Sequence, residues 1–186
     1  KAEMKIKFGN YANLQVVDRE NWMNEINPGV KINALINCAF PRTSDPEQLA
    51  KGLLYTEKLI KHSLKHNIEK IINISSQSVY SQKSKKEADE SAPVIPETLY
   101  GMTKYACERI VETLCTSVQQ KVEFSNIRLG SLTGLGFEIR MTNKFVKCAL
   151  ERKPIYINGG NQLVSYLDVR DAADAIVAML NGQSKK

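Results

Sequence analysis

The 186-residue sequence predicts an α/β fold, a doubly wound parallel sheet. Two observations carry that prediction. Short apolar runs of strand length alternate with longer segments whose apolar residues recur at helical spacing. The chain between successive runs is also long enough for the helical crossover that parallel strands require.

The elements follow in order. Residues 1–27 are polar and end in the turn Asn27-Pro28-Gly29, with a short strand end and a helix containing Trp22 expected within 16–26. Lys31 to Phe40 (KINALINCAF) is an apolar run ending in small residues, as a buried parallel strand does. Asp45 is suited to cap a helix, with Pro46 at its first position and Glu47 in its first turn. Leu49, Leu53, Ile60 and Leu64 then recur at helical spacing, and Asn67 is suited to close the helix. Ile68 to Ile74 reads as the next strand, which places Ser75 and Ser76 at its carboxyl end. A polar loop, Gln82 to Glu97, leads to a helix over Leu99 to Val118 and a strand over Val122 to Leu129. Gly134 to Met141 is expected to cross the site. Asn143 to Lys153 reads as an amphipathic helix with Phe145, Val146, Ala149 and Leu150 inward. Ile155 to Ile157 and Val164 to Val169 are expected to be short strands about a turn at 158–161.

Ligands of such sheets lie beyond the carboxyl ends of the strands. The residues placed there carry the chemistry. Tyr100 and Lys104 stand four apart on a predicted helix and project from one face. An ammonium beside a phenol favours the phenolate, which brings the phenol from about 10 toward neutrality. Such a tyrosine can exchange a proton with an alcohol or carbonyl. A serine hydroxyl at a strand end can hold the same substrate oxygen.

In this order and spacing the motifs resemble the extended branch of the short-chain dehydrogenase/reductase superfamily, the NAD-dependent epimerase/dehydratase family. The residues that carry the resemblance are Asn37-Cys38-Ala39, Ser75 through Tyr80 (SSQSVY), Tyr100 with Lys104, Arg128 through Ser131 with Thr133-Gly134, and Tyr166 through Asp171 (YLDVRD). The resemblance implies a single Rossmann-like NAD(P)-binding domain over 1–186, with 134–170 contributing to the substrate side. It implies Ser76, Tyr100 and Lys104 as catalytic residues. Cys38, Ala39, Phe40, Ser75 and Leu129 would contact an NAD or NADP cofactor together with Tyr100 and Lys104. Ser76, Gln77, Ser131 and Arg140 would meet the substrate, and Asp171 is suited to cap the helix through Leu180. Arg128 fits a structural ion-pair partner better than a ligand.

The departures from the family pattern matter too. No Gly-rich turn precedes Lys31, where the glycines Gly9 and Gly29 stand far apart, and the residue that would choose between NAD and NADP is absent. The fold is therefore expected to be incomplete at its amino terminus and to stop short at its carboxyl end, as the middle portion of a longer protein would be. The alternative is a relative that has lost cofactor binding. Val164 occupies the position where nucleotide-sugar members carry a diphosphate-binding arginine; Arg140, Lys144, Arg152 or Arg170 are the candidates to replace it. Gln77 and Ser78 stand where dehydratases of this group carry an acidic pair, which counts against dehydration.

Composition narrows the partners. Hydrophobic residues make up 42% and charged residues 25%, as in ordinary globular chains, and no apolar run approaches a membrane span. The net charge of +6 is spread out, and the short lysine cluster at 83, 85 and 86 has no interleaved aromatics, so nucleic acid is not expected. Cys38, Cys107, Cys115 and Cys148 show no paired spacing, three of them in apolar helix or strand contexts, which suits free thiols in a reducing, cytoplasmic setting. His62 and His66 share a helix face but lie off the apolar stripe, favouring a solvated face over a metal site. Asn73-Ile74-Ser75 fits a glycosylation sequon inside a buried strand and is taken as chance.

The function expected is an NAD(P)-dependent epimerase acting on a sugar nucleotide through a transient ketone, in a homodimer to which the Tyr100 helix contributes. A reductase of a non-nucleotide carbonyl and a non-catalytic dinucleotide sensor are the alternatives.

Overall fold

The computed structural model describes residues 13–17, 22, 31–81, 83–84, 88–134, 141–157, 159–161 and 163–182. Strands β1 (Ala34–Asn37), β2 (Lys70–Ser76) and β3 (Glu123–Leu129) form one parallel sheet in that order. Helices α1 (Pro46–Lys65) and α2 (Leu99–Ser117) make the two crossovers and pack on each other over one face. Beyond β3, strand β4 (Ser131–Thr133) pairs in parallel with β5 (Tyr166–Asp168), with helix α3 (Met141–Leu150) between them in sequence and helix α4 (Val169–Asn181) last.

Side-chain alternation sorts the sheet residues between faces. Leu35, Ile71 and Phe124 align across the three strands and meet Ile60, Val111 and Cys115 of the two helices in the main apolar cluster. Full burial of each aliphatic side chain there is worth roughly 1.5–3 kcal/mol. Lys70 points to the other face. Its ammonium donates to the carbonyls of Met179 (3.0 Å) and Gly182 (2.8 Å), which pins the end of α4 to that side. Helices thus flank both faces, as in the expected doubly wound arrangement.

Two residues further along the strands the helix-facing row turns polar. Asn37, Asn73 and Asn126 lie side by side in register, with Asn37 and Asn73 buried. The Ala39 N–H must donate, so the atom it meets on Asn37 at 3.2 Å is the amide oxygen. Asn37 Nδ2 therefore donates to Asn73 Oδ1 (3.0 Å), and Asn73 Nδ2 to Asn126 Oδ1 (2.8 Å). This one-directional ladder satisfies polar groups under the helices and ties the turn after β1 to the sheet.

Local chemistry explains the helix limits. Asp45 caps α1 by accepting from the Glu47 N–H, Pro46 opens it, and Asn67 follows its end in the left-handed region (φ 54°). Thr98 caps α2 by accepting from the Gly101 N–H at 3.0 Å. Close approach requires glycine at two positions. A β-carbon on Gly52 would lie 2.7 Å from Pro41, and one on Gly101 would run into the Ser78 carbonyl.

Several expectations are corrected. The first two strands are displaced or shorter than read from the sequence, because pairing register rather than apolarity sets their ends. Asp168, not Asp171, caps α4 by accepting from the Arg170 N–H at 2.8 Å. Helix α3 starts at Met141 and ends at Leu150, with Arg152 at positive φ just beyond. Phe145 is half-buried, but Val146, Ala149 and Leu150 are exposed rather than inward. Ile155 to Ile157 form no strand and are exposed; β5 pairs with β4, so there is no hairpin about 158–161. His62 is half-buried, with the Trp22 ring edge-on at 5.0 Å, and burial holds its imidazole below the usual value. No group of three metal-ligating side chains occurs among the described residues. The four cysteines are free, with Cys107 and Cys115 buried and Cys38 exposed; burial pushes the Cys115 thiol up to about 11. The remainder of the expected amino-terminal strand and helix, and the 135–140 crossover, lie outside the described residues.

The Gly101 contact yields a test. In an open helix Gly→Ala is favourable by roughly 0.5–1 kcal/mol. Here Gly101→Ala is expected instead to destabilise by about 1–3 kcal/mol in urea unfolding, because helix and turn must separate.

Candidate active site

The carboxyl ends of β2 and β3, the start of α2 and the turn after β1 enclose a cleft of about 460 Å³. Ser76, Gln77, Tyr100, Leu129 and Ser131 line it, so five of the residues singled out from the sequence come together. Ser75 lines it as well, but alternation turns its hydroxyl the other way, onto buried Glu108 at 2.5 Å. Ser76 faces the cleft and caps the one-turn 3₁₀ helix Gln77–Val79. Its oxygen accepts from the Ser78 N–H (3.2 Å) and its hydroxyl donates to Ser78 Oγ (3.1 Å). Gln77 Nε2 lies 3.4 Å from Ser131 Oγ, a long contact that sets both on the β3 side.

Tyr100 sits in the first turn of α2, held there by the Thr98 cap, with the Phe40 ring edge-on at 6.1 Å. One turn on, Lys104 is 4% exposed. Its ammonium donates to the Ile74 carbonyl at 2.5 Å and lies 4.7 Å from the centroid of the same Phe40 ring. Burial holds this amine below the usual lysine value, while Cys107, Glu108 and Cys38 pull the other way. Phe40 thus touches both members of the tyrosine–lysine pair. With Cys38 and Ala39 it lines a neighbouring cleft of about 520 Å³ against Gln48, Gly52 and Tyr55 of α1. Of the cofactor residues expected from the sequence, Cys38, Ala39 and Phe40 thus line one cleft, Ser75, Tyr100 and Leu129 the other, and Lys104 is buried in the lining of neither.

An ion pair lies behind the site. Arg128 donates through Nε and Nη2 to Glu108 (3.0 and 2.8 Å) and through Nη1 to the Tyr80 hydroxyl (2.8 Å). The Glu108 carboxylate raises the Arg128 guanidinium further above its usual range. Arg128 is thus a structural partner, as expected. The sequence motifs did not single out Glu108, whose signal is an acid four residues after Lys104 on the buried face of α2. Arg42, Thr43 and Ser44 were also missed and line the cleft opposite the strand ends. Arg170 is paired with Asp168 at 3.1 Å, Val164 is partly exposed outside the cleft lining, and Arg140 lies outside the described residues.

A parallel sheet flanked by helices, with its cleft beyond the carboxyl ends of the strands, is a Rossmann-like α/β fold. The model of the NAD dependent epimerase/dehydratase family matches residues 3–186, and the chain belongs to that family. No curated protein matches it. Among solved structures it resembles MoeE5 in complex with UDP-glucuronic acid and NAD, with TM-score 0.74 and 22% identity over 88% of this chain and 58% of that one. The UDP-N-acetylglucosamine 4-epimerase from Bacillus cereus gives TM-score 0.72 and 23% identity over 81% of this chain and 52% of that one. The Bordetella bronchiseptica enzyme WbmG in complex with NAD and UDP gives 0.67 and 18%, over 82% and 47%. The chain spans about half the length of these structures, and at such identities the likeness is one of fold.

The Glu108–Arg128 pair is open to direct test. Glu108→Ala strands a guanidinium and the Ser75 hydroxyl, and should destabilise by about 3 kcal/mol in chemical denaturation. Glu108→Leu combined with Arg128→Met should recover much of that loss, because both charges leave together.

Proposed function

We propose that this chain carries the catalytic centre of an NAD(P)-dependent epimerase acting on a sugar nucleotide. One observation carries the reading: Ser76 and Tyr100 line one cleft, and Lys104 is buried one helical turn behind the tyrosine with donors to spare.

The residues present fit the nicotinamide-ribose end of a dinucleotide. A lysine ammonium has three N–H donors, and that of Lys104 makes one hydrogen bond among the described residues. Two donors remain for the hydroxyls of a ribose laid against Phe40. A bound nicotinamide supplies the acceptance and return of a hydride at a sugar carbon. The remaining steps belong to the protein. The Lys104 charge favours the ionised form of Tyr100, which takes the proton from the sugar hydroxyl as the ketone forms and returns it afterward. Ser76, held by the Ser78 N–H, redirects its own proton from Ser78 Oγ to the same substrate oxygen and fixes its position. Gln77 and Ser131 border the rest of the ring. With the ketone free to turn in the cleft while Tyr100 and Ser76 hold its oxygen in either pose, the carbon would be inverted when the hydride is returned to its opposite face. The family match supports this class of chemistry, and the family's dimers make a homodimer through α2 part of the proposal.

A reductase of a non-nucleotide carbonyl has one observation in its favour, valine at position 164 where the family's diphosphate arginine would stand. Stoichiometry separates the two readings: an epimerase recycles its cofactor, whereas a reductase consumes one reduced cofactor per turnover.

Tyr100→Phe should lower kcat by about 10²–10⁴-fold with NAD affinity retained in titration. Near-normal turnover in that variant would remove Tyr100 from the mechanism. Because Lys104 in the unliganded chain loses its proton at lower pH than a free lysine, kcat/KM for NAD should also decline on the alkaline side below the ordinary lysine range. A pH–rate profile of wild type against Lys104→Arg checks this, the arginine variant lacking that decline.

A further inference from the structure

The cleft holds one group that the serine, tyrosine and lysine chemistry leaves unused. Arg42 comes from the turn after β1 and lines the cleft together with Ser76, Ser78 and Tyr100. Among the described residues it is the one basic side chain of the lining, and no aspartate or glutamate lines the cleft with it. Arg128 is committed to Glu108, Arg170 to Asp168 and Arg109 to Glu112, while Arg152, just beyond α3, lies outside the cleft lining. Among the described residues Arg42 has no hydrogen-bond or ion-pair partner.

This combination selects a chemistry. A cleft walled by serine and threonine hydroxyls suits a polyhydroxylated ring, and its volume of about 460 Å³ falls within the range of small-molecule sites. A guanidinium presents a planar fork that matches a carboxylate through two parallel hydrogen bonds. With no acid in the described lining to pair with it, Arg42 makes the cleft favourable to an arriving anion. Because Arg42 lines the same cleft as the two groups assigned to the reacting hydroxyl, an anion on the ring itself is within the chemistry this cleft can select.

We propose that Arg42 is a specificity-determining residue that binds a carboxylate on the sugar ring, so that the substrate is a nucleotide-activated hexuronic acid. The inference rests on the reading of this cleft as the substrate site.

The test is calorimetric titration of the NAD-loaded protein with UDP-glucuronic acid, UDP-glucose and UDP, in wild type, Arg42→Gln and Arg42→Lys, with epimerisation of both sugars followed in parallel. Wild type should prefer the uronic acid. In Arg42→Gln the ratio of uronic to neutral sugar affinity should fall about tenfold, the scale of one charge-assisted hydrogen bond, and Arg42→Lys should recover part of it. An unchanged ratio overturns the proposal, as does equal weakening of all three ligands, which would assign Arg42 to the diphosphate. A loss confined to NAD affinity would assign it to the cofactor, and no binding of the uronic acid by wild type also overturns it. Preference without turnover would sink the epimerase reading and keep this one; turnover without preference would do the reverse.

Discussion

A buried carboxylate sets the terms for the carboxyl end of this sheet. Glu108 is 3% exposed, and a charge so placed is tolerated only with its hydrogen bonds filled. Arg128 fills them from β3, Ser75 from β2, and Arg128 in turn holds Tyr80 beyond the 3₁₀ turn. β3, and β2 with the 3₁₀ turn that follows it, are thereby fixed to one point on α2. The helix cannot slide along the sheet without unpairing an ion, so Tyr100, two turns before Glu108, is held opposite Ser76. The serine pair shows how economically this works. Strand alternation sends the Ser75 hydroxyl inward to lock the network and leaves Ser76 facing the cleft.

The same polarity governs the whole layer between sheet and helices. At the amino-terminal ends of the strands the row Leu35, Ile71 and Phe124 meets aliphatic side chains. One pleat further lies the asparagine ladder, with Thr56 and Cys107 above it in contact at 3.5 Å. Beyond that come Lys104 and the Glu108 network. Hydrophobic burial is concentrated at one end, and the polar end is kept unique by directional hydrogen bonds. The ladder reaches the site too: by holding the Ala39 N–H, Asn37 sets where the chain turns toward Phe40, the residue that touches both Tyr100 and Lys104.

Much of this was legible in the sequence where the signal is local. The Asp45-Pro46 helix start, the residue Asn67 that closes the helix and the order of the crossovers follow from spacing and capping chemistry, while the gathering of Ser76, Gln77, Tyr100 and Ser131 about one cleft was implied by the family resemblance. Signals that depend on a partner were not. Asp168 and Asp171 are both able to cap α4, and only the backbone path out of β5 decides for Asp168. An alternating run such as Ile155 to Ile157 becomes a strand only if another strand lies beside it. Glu108 looked like an ordinary helix acid until β3 placed Arg128 beneath it. Arg42 sits in a turn with no motif of its own, and it enters the site because Gly52 lets α1 approach Phe40 and Pro41 closely.

Lys104 shows why the site is built to receive a ligand rather than merely to be stable. Desolvation works against its charge, and one carbonyl and one aromatic face only partly compensate. In the absence of a ligand the amine therefore holds its proton less firmly than a free lysine would. Hydroxyls placed on its remaining donors would complete its hydrogen bonds and restore its affinity for the proton. On the proposed reading they would thereby strengthen the positive charge behind Tyr100. Occupancy of the ribose position and activation of the tyrosine would then be coupled through a single ammonium.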